Sequence, residues 1–196
     1  MGRHAPYLVD EMSPKVTAEA RLPGDPDKAT LLDQIIRVDQ AGEYGAKRIY
    51  EGQLAVLKDT DAAPVLKAML AQEEEHLKTF TAIMAKRGVR PTALAPVWHV
   101  AGFALGAATA LLGKEAAMAC TVAVEDVIGE HYAHQAAQLS DDEAELRETI
   151  GTFRDDELHH RDESLRHGAE SAPAYPVLTG AIKAGTRLAI WLSKRI

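Results

Sequence analysis

A single cysteine among 196 residues removes two possibilities at once: no internal disulfide can staple the chain, and no Cys₄ metal centre can form. Cys120 lies among small residues of a helical stretch and reads as a buried small hydrophobe. An excess of positive charge is missing too. Lys and Arg number 22 against 29 Asp and Glu, so nucleic acid is excluded as the expected partner. No glycine-rich nucleotide fingerprint is present to build a Rossmann site. The N-terminus lacks the apolar core of a signal peptide, and Asp10, Glu11, Glu19, Asp25 and Asp27 make it too acidic for a transit peptide. That points to a cytoplasmic protein, or to an organellar one already processed.

What remains is one domain's worth of helix-forming sequence, long enough for a sizeable core. Residues 1–27 carry Pro6, Pro14, Pro23 and Pro26 without apolar periodicity and read as an extended or disordered tail. Residues 28–196 read as a single all-α domain. Over 28–57, Leu31, Leu32, Ile35, Ile36, Val38, Ile49, Leu54 and Leu57 are spaced for one buried helical face. Asp59, Thr60, Asp61 and Pro64 then punctuate, and a second helix is expected over 63–86. The construction repeats: a helix over 114–139, a turn at Ser140, Asp141 and Asp142, and a returning helix.

Within this repeat lies a second one. Glu43 is followed 30 positions later by Glu73, and Glu125 is followed 32 positions later by Glu157. Each second glutamate opens a Glu-x-x-His: Glu73 with His76, and Glu157 with His160. Positions i and i+3 share a helix face, so each such pair can grip one ion. Glu43 stands ~25 Å before its turn and Glu73 ~20 Å after it, at ~1.5 Å per residue, so an antiparallel hairpin brings them level. One Glu-x-x-His on an acidic helix is a common accident. Two copies, each preceded by a glutamate set among small and apolar residues, are not, because a buried charge is rarely left without a partner. Four carboxylates and two imidazoles delivered from four helices are the ligand set of a carboxylate-bridged di-iron centre. Glu73 and Glu157 are the expected bridges, with Glu43 and Glu125 terminal. Asp156 and Asp39 are candidates to orient the imidazoles.

Tyr50 and Tyr132 each follow a lone glutamate by seven positions. They are either core residues with a satisfied hydroxyl or hydrogen-bonding members of the site. His131 is rotated about 120° from Glu125 and falls outside the expected ligand set.

Two further segments do not belong to a simple bundle. Residues 94–113 hold no Asp, Glu, Lys or Arg. They reach the length of a membrane span, but their Ala and Gly content, with Pro96 and His99, argues against spanning. A crossover helix between the hairpins, or an apolar helix docked into one leaflet, is expected instead. Over 177–196, Leu178, Ile182, Leu188, Ala189, Leu192 and Ile196 share one helical face, and Lys183, Arg187 and Lys194 the opposite one. A basic amphipathic helix on an acidic protein is the sequence form of attachment to an anionic membrane surface. The alternative is a helix packed on the bundle with an ordinary solvated face, and the apolar 94–113 stretch favours the membrane reading.

With these residues in hand, the chain resembles the demethoxyubiquinone hydroxylase family of ubiquinone biosynthesis. The likeness is carried by Arg37-Val-Asp-Gln-Ala-Gly-Glu43-Tyr-Gly-Ala, Gly102-Phe-Ala-Leu-Gly-Ala, the stretch from Leu111 to Glu125, and Phe153-Arg-Asp-Asp-Glu157-Leu-His-His160. It extends over residues 28–196. The resemblance implies a ferritin-like four-helix bundle with two additional helices, and the family's six metal positions are filled here by Glu43, Glu73, His76, Glu125, Glu157 and His160. It further implies two iron ions, O₂ as co-substrate, NADH as reductant and demethoxyubiquinol as substrate. A peripheral place on the inner membrane follows, on the cytoplasmic face in a bacterium or the matrix face in a mitochondrion. A lipid-binding partner of the biosynthetic complex is implied as well, and a homo-oligomer is compatible with the sequence. The alternative is a ferritin-like ferroxidase or peroxide-scavenging iron protein, which shares the ligands but has no evident use for an apolar insert and an amphipathic end.

Overall fold

A computed structural model describes residues 24–196. Of the expected tail, all but its last four residues lie outside the described residues. Helix α1 spans Lys28–Leu57 and opens on an Asp27 cap, whose carboxylate accepts from the Thr30 amide at 2.7 Å. Thr60 closes its last turn by donating to the Leu57 carbonyl. Helix α2, Ala63–Arg87, begins with Pro64, where the missing amide hydrogen costs nothing. It stops at Gly88, whose φ of 69° turns the chain left-handed while the Val89 amide bonds back to Met84.

Helix α3 runs Ala95–Leu111, and Gly113 at φ 117° hinges it to α4, Lys114–Gln138. A single 3₁₀ turn over Asp141–Glu143 leads into α5, Ala144–Arg166. A second 3₁₀ turn, Ala169–Ser171, precedes α6, Tyr175–Ser193. The observed ends lie within two or three residues of those expected from the sequence, as fraying termini allow.

The fold is a ferritin-like four-helix bundle with two additional helices. α1 packs against α2, and α4 against α5, as two hairpins. Two apolar clusters close the bundle at opposite ends. One contains Leu57, Leu66, Met69 and Met118, the other Ile36, Phe80, Met84, Leu146 and Ile150. Between them the bundle interior is polar.

Helix α3 lies along α1 at a distance that admits no side chain between them. A Cβ on Gly106 would fall on the Ile49 carbonyl, and one on Gly52 on the Phe103 carbonyl. Small residues at these crossings let two backbones touch. α3 is therefore neither fully buried nor free. Gly106, Thr109 and Ala110 are covered, while Val97, Val100, Leu111 and Leu112 face outward.

Helix α6 engages the bundle through part of its polar side. Two of its basic residues are turned onto α4: Lys183 pairs with Asp126 at 2.7 Å and Arg187 with Glu130 at 3.1 Å. They are spent on the protein's own carboxylates. Leu188 and Trp191, by contrast, are more than half exposed. Among the described residues no helix is long and apolar enough to cross a membrane.

Candidate metal centre

The six residues singled out by spacing converge. Glu43 from α1, Glu73 and His76 from α2, Glu125 from α4, and Glu157 and His160 from α5 are each at most 3% exposed. Their donor atoms fall into two groups whose members lie within 4.8 Å of one another. Glu43 and His76 belong to one group, Glu125 and His160 to the other, and Glu73 and Glu157 to both. The Glu157 carboxylate reaches both imidazoles, at 3.2 Å from His76 Nδ1 and 3.3 Å from His160 Nδ1. Glu73 lies 3.2 Å from His160 Nδ1, and Glu43 3.6 Å from His76 Nδ1.

The surroundings hold these groups with their donor atoms pointing inward. His76 Nε2 meets Asp156 Oδ2 at 3.1 Å, and His160 Nε2 meets Gln72 Oε1 at 2.9 Å. An oxygen acceptor on Nε2 places the ring hydrogen there and leaves the Nδ1 lone pair free to bind. Phe153 stacks on the His76 ring at 3.9 Å. Tyr50 of α1 donates to Glu125 Oε1 at 2.9 Å, and Tyr132 of α4 donates to Glu43, so each hairpin's tyrosine steadies the other's lone glutamate.

Electrostatics show what the cluster is short of. Burial, reinforced by neighbouring carboxylates, pushes Glu73 and Glu125 well above the usual carboxylate range. For Glu157 burial acts upward as well, but the imidazoles of His160 and His76 outweigh it and draw the carboxyl down to about 2. Burial likewise disfavours the His76 imidazolium, yet Glu157 and Glu43 carry it up to about 10. Protons here hold a balance that cations could hold instead, since two divalent ions neutralise four carboxylates and leave both imidazoles neutral.

Among the described residues, eleven buried side-chain atoms have no hydrogen-bond partner, and seven of them belong to the cluster: both oxygens of Glu73, both of Glu157, Oε2 of Glu125, and Nδ1 of His76 and His160. Buried polar atoms are rarely left so unless something else occupies them. Oxygen and imidazole donors in this ratio suit iron.

The structure revises the expected supports. Asp156, one turn from His160 on the same helix, serves His76 across the bundle. Asp39 touches no imidazole of the cluster; it accepts from Gln135 Nε2 at 2.7 Å. Gln72, Gln135 and Gln53 were not anticipated. Their signal was available, since Gln53 and Gln135 each follow a lone glutamate by ten positions. His131 sits at the edge, 3.0 Å from Gln135 Nε2 and away from the cluster.

Beside the centre, a cavity of about 340 Å³ opens between α1, α3, α4 and α6. Gly42 and Ala46, which flank Glu43, and Val124, next to Glu125, form its inner wall. Trp98 and Leu105 of α3 and Ile190 of α6 form the outer one.

An antiparallel helical bundle enclosing a two-fold cluster of carboxylates and histidines defines a protein of the ferritin-like class with a site of metal-binding type. A model of the ubiquinone biosynthesis protein COQ7 family matches residues 30–193, and the chain belongs to that family. It is 60% identical over 193 residues to the 3-demethoxyubiquinol 3-hydroxylase of Rhodospirillum rubrum, covering 98% of this chain and 91% of the relative. The mitochondrial NADPH-dependent 3-demethoxyubiquinone 3-hydroxylase of Homo sapiens is 56% identical over 169 residues, 84% of this chain and 78% of the relative. The mitochondrial 5-demethoxyubiquinone hydroxylase of Saccharomyces cerevisiae is 46% identical over 186 residues, 86% of this chain and 80% of the relative.

Proposed function

We propose that this chain is a di-iron monooxygenase that hydroxylates the ring of demethoxyubiquinol at a membrane surface. The observation that carries the reading is the buried cluster with an apolar cavity beside it, lined by Gly42 and Val124, the chain neighbours of Glu43 and Glu125. A storage protein needs the cluster but not the cavity.

Glu43, Glu73, His76, Glu125, Glu157 and His160 would hold two iron ions, with Glu73 and Glu157 shared between them. The ions would supply the electrons and open coordination that activate O₂ for insertion into an electron-rich ring. The protein's own part is positional. Tyr50 and Tyr132 fix the terminal carboxylates, Asp156 and Gln72 fix the imidazole tautomers, and the two apolar clusters keep water from the reacting atoms. The cavity receives the quinol ring, and the outward apolar residues of α3 and α6 seat the protein on the lipid from which the substrate comes. That surface is the inner membrane, on its cytoplasmic or matrix face, where a lipid-binding partner of the biosynthetic complex would also meet the protein. Reducing equivalents would come from a reduced nicotinamide nucleotide, NADH or the NADPH named for the human relative, with the quinone itself as their carrier to the site.

The test is product analysis by mass spectrometry. Iron-loaded protein is incubated with a short-tailed demethoxyubiquinone, NADH or NADPH, and ¹⁸O₂, beside a Glu157→Ala control. One labelled oxygen in the product, absent in the control, is the expected result. Oxygen consumption with ferric iron accumulating and no hydroxylated quinone would replace this reading with a ferroxidase.

A further inference from the structure

The two halves of the bundle correspond residue by residue. Glu43 and Glu125, Tyr50 and Tyr132, Gln53 and Gln135, and Asp39 and Thr121 are each separated by 82 positions. Glu73 and Glu157, His76 and His160, and Gln72 and Asp156 are each separated by 84. The contacts repeat with the residues. Gln53 Nε2 donates to Thr121 Oγ1 at 3.4 Å, as Gln135 Nε2 donates to Asp39 Oδ1 at 2.7 Å. His160 Nε2 faces Gln72 as His76 Nε2 faces Asp156.

The six cluster residues are of identical type in the two halves, but their supports are not. Behind one imidazole stands a carboxylate, Asp156; behind the other stands an amide, Gln72. Beside the Glu43 end lies the carboxylic Asp39; beside the Glu125 end lies the hydroxyl of Thr121. Both acidic members fall on the side of Glu43 and His76, and both neutral ones on the side of Glu125 and His160.

We propose that the two metal sites are unequal by construction: the site of Glu43 and His76 binds its divalent ion more tightly and fills first, and Asp156 is the positioning residue that sets this order. The inference rests on the reading of the cluster as a two-ion centre. Its physical basis is that a carboxylate accepting from Nε2–H draws the ring hydrogen toward itself and makes Nδ1 a stronger donor. An amide oxygen fixes the same tautomer without the charge. Asp39, on the same half, adds no comparable charge: burial pushes its carboxyl well above the usual range, and it touches no cluster imidazole. Asp156, in direct contact with His76, is the stronger influence.

The test uses full-length protein stripped of metal, with Zn²⁺ as a redox-inert probe. Zinc is titrated in calorimetrically, while long-range ¹H–¹⁵N spectra follow the histidine rings. Two steps are expected, the His76 ring responding in the first and the His160 ring in the second. Asp156→Asn weakens the first step by about 10–100-fold and merges it with the second. Asp156→Glu restores the separation, and Gln72→Glu tightens the second step. A merely structural role for Asp156 would lower the melting temperature of the metal-free protein without changing the order of filling. Both rings responding together in the wild type, or Asp156→Asn weakening both steps alike, overturns the proposal. A protein that binds no zinc overturns the metal reading itself, an outcome distinct from two equal steps.

Discussion

Among the described residues, Glu157 is the one carboxylate within 4 Å of both cluster histidines, and with Glu73 it belongs to both donor groups. Glu157→Ala therefore removes a shared donor and leaves two imidazoles facing a void. Iron content is expected to fall from the proposed two ions per chain to one or none, and hydroxylation to drop below detection, measured by metal analysis and by product formation. A second consequence concerns pH. In the metal-free protein His76 is raised from 6.5 to about 10, so the stability it contributes is complete below pH 6.5 and is lost as the pH rises through 10. Glu73 and Glu125 are raised above 4.5. Their unfolded forms ionise first, so the folded state grows less favourable as the pH climbs past that value. Both effects run the same way, whereas ion binding is tighter where ligands are deprotonated. The melting-temperature gap between iron-loaded and metal-free protein should widen from pH 6 to pH 9; a gap that narrows would contradict these shifts. The convergence of the six residues was legible because helical rise and i, i+3 spacing are local arithmetic. Of their supports, Asp156, Tyr50 and Tyr132 were legible as candidates, but which histidine Asp156 serves and the role of Gln72 were not, because each reaches an imidazole on the opposite hairpin, which no spacing on one helix can reveal.

Among the elements, α3 depends on what it lacks. Its contact with α1 runs through Gly52, Gly102 and Gly106, and the added Cβ of Gly106→Ala would meet backbone that cannot rotate away. Destabilisation of about 1–3 kcal/mol is expected by chemical unfolding, typical of overpacking. Gly151→Ala in α5 is the contrasting case. Nothing lies within 4 Å of the added atom, so removing backbone freedom should stabilise the protein by about 0.5–1 kcal/mol. If the two substitutions behave alike, the close approach of α1 and α3 is not what the structure shows. The absence of charge over 94–113 was plain in the sequence, and it correctly set this segment apart from the four bundle helices. Which face of it would be covered was not, because alanines and glycines carry too little amphipathic contrast. On α6 the contrast was clear; what the sequence could not show is that Asp126 and Glu130, distant in sequence, pair with Lys183 and Arg187.

At the scale of the whole molecule, the distribution of surface decides how the proposed membrane contact would be made. The chain carries a formal charge of −7, which repels an anionic surface unless free cations are gathered on the contacting face. Lys183 and Arg187 are engaged by α4, and the Arg195 guanidinium lies 4.1 Å from the Trp191 ring centroid, covering it as much as reaching outward. What the outer faces of α3 and α6 offer in quantity is apolar area: Val97, Val100, Val177, Leu188 and Trp191 are all more than half exposed. The proposed attachment would then be driven by burial of side chains, each contributing about 1.5–3 kcal/mol when fully covered, rather than by charge. Vesicle co-sedimentation, with Trp191 fluorescence as a second signal, distinguishes the two drives. Val100→Asp or Leu188→Asp should lower partitioning about tenfold or more, since ~1.4 kcal/mol is a factor of ten. Raising salt from 0.05 to about 0.5 M should change it little, because screening acts on exposed charges. Strong weakening by salt with indifference to the aspartates would assign attachment to electrostatics, and the apolar faces of α3 and α6 would then need a protein partner to cover them.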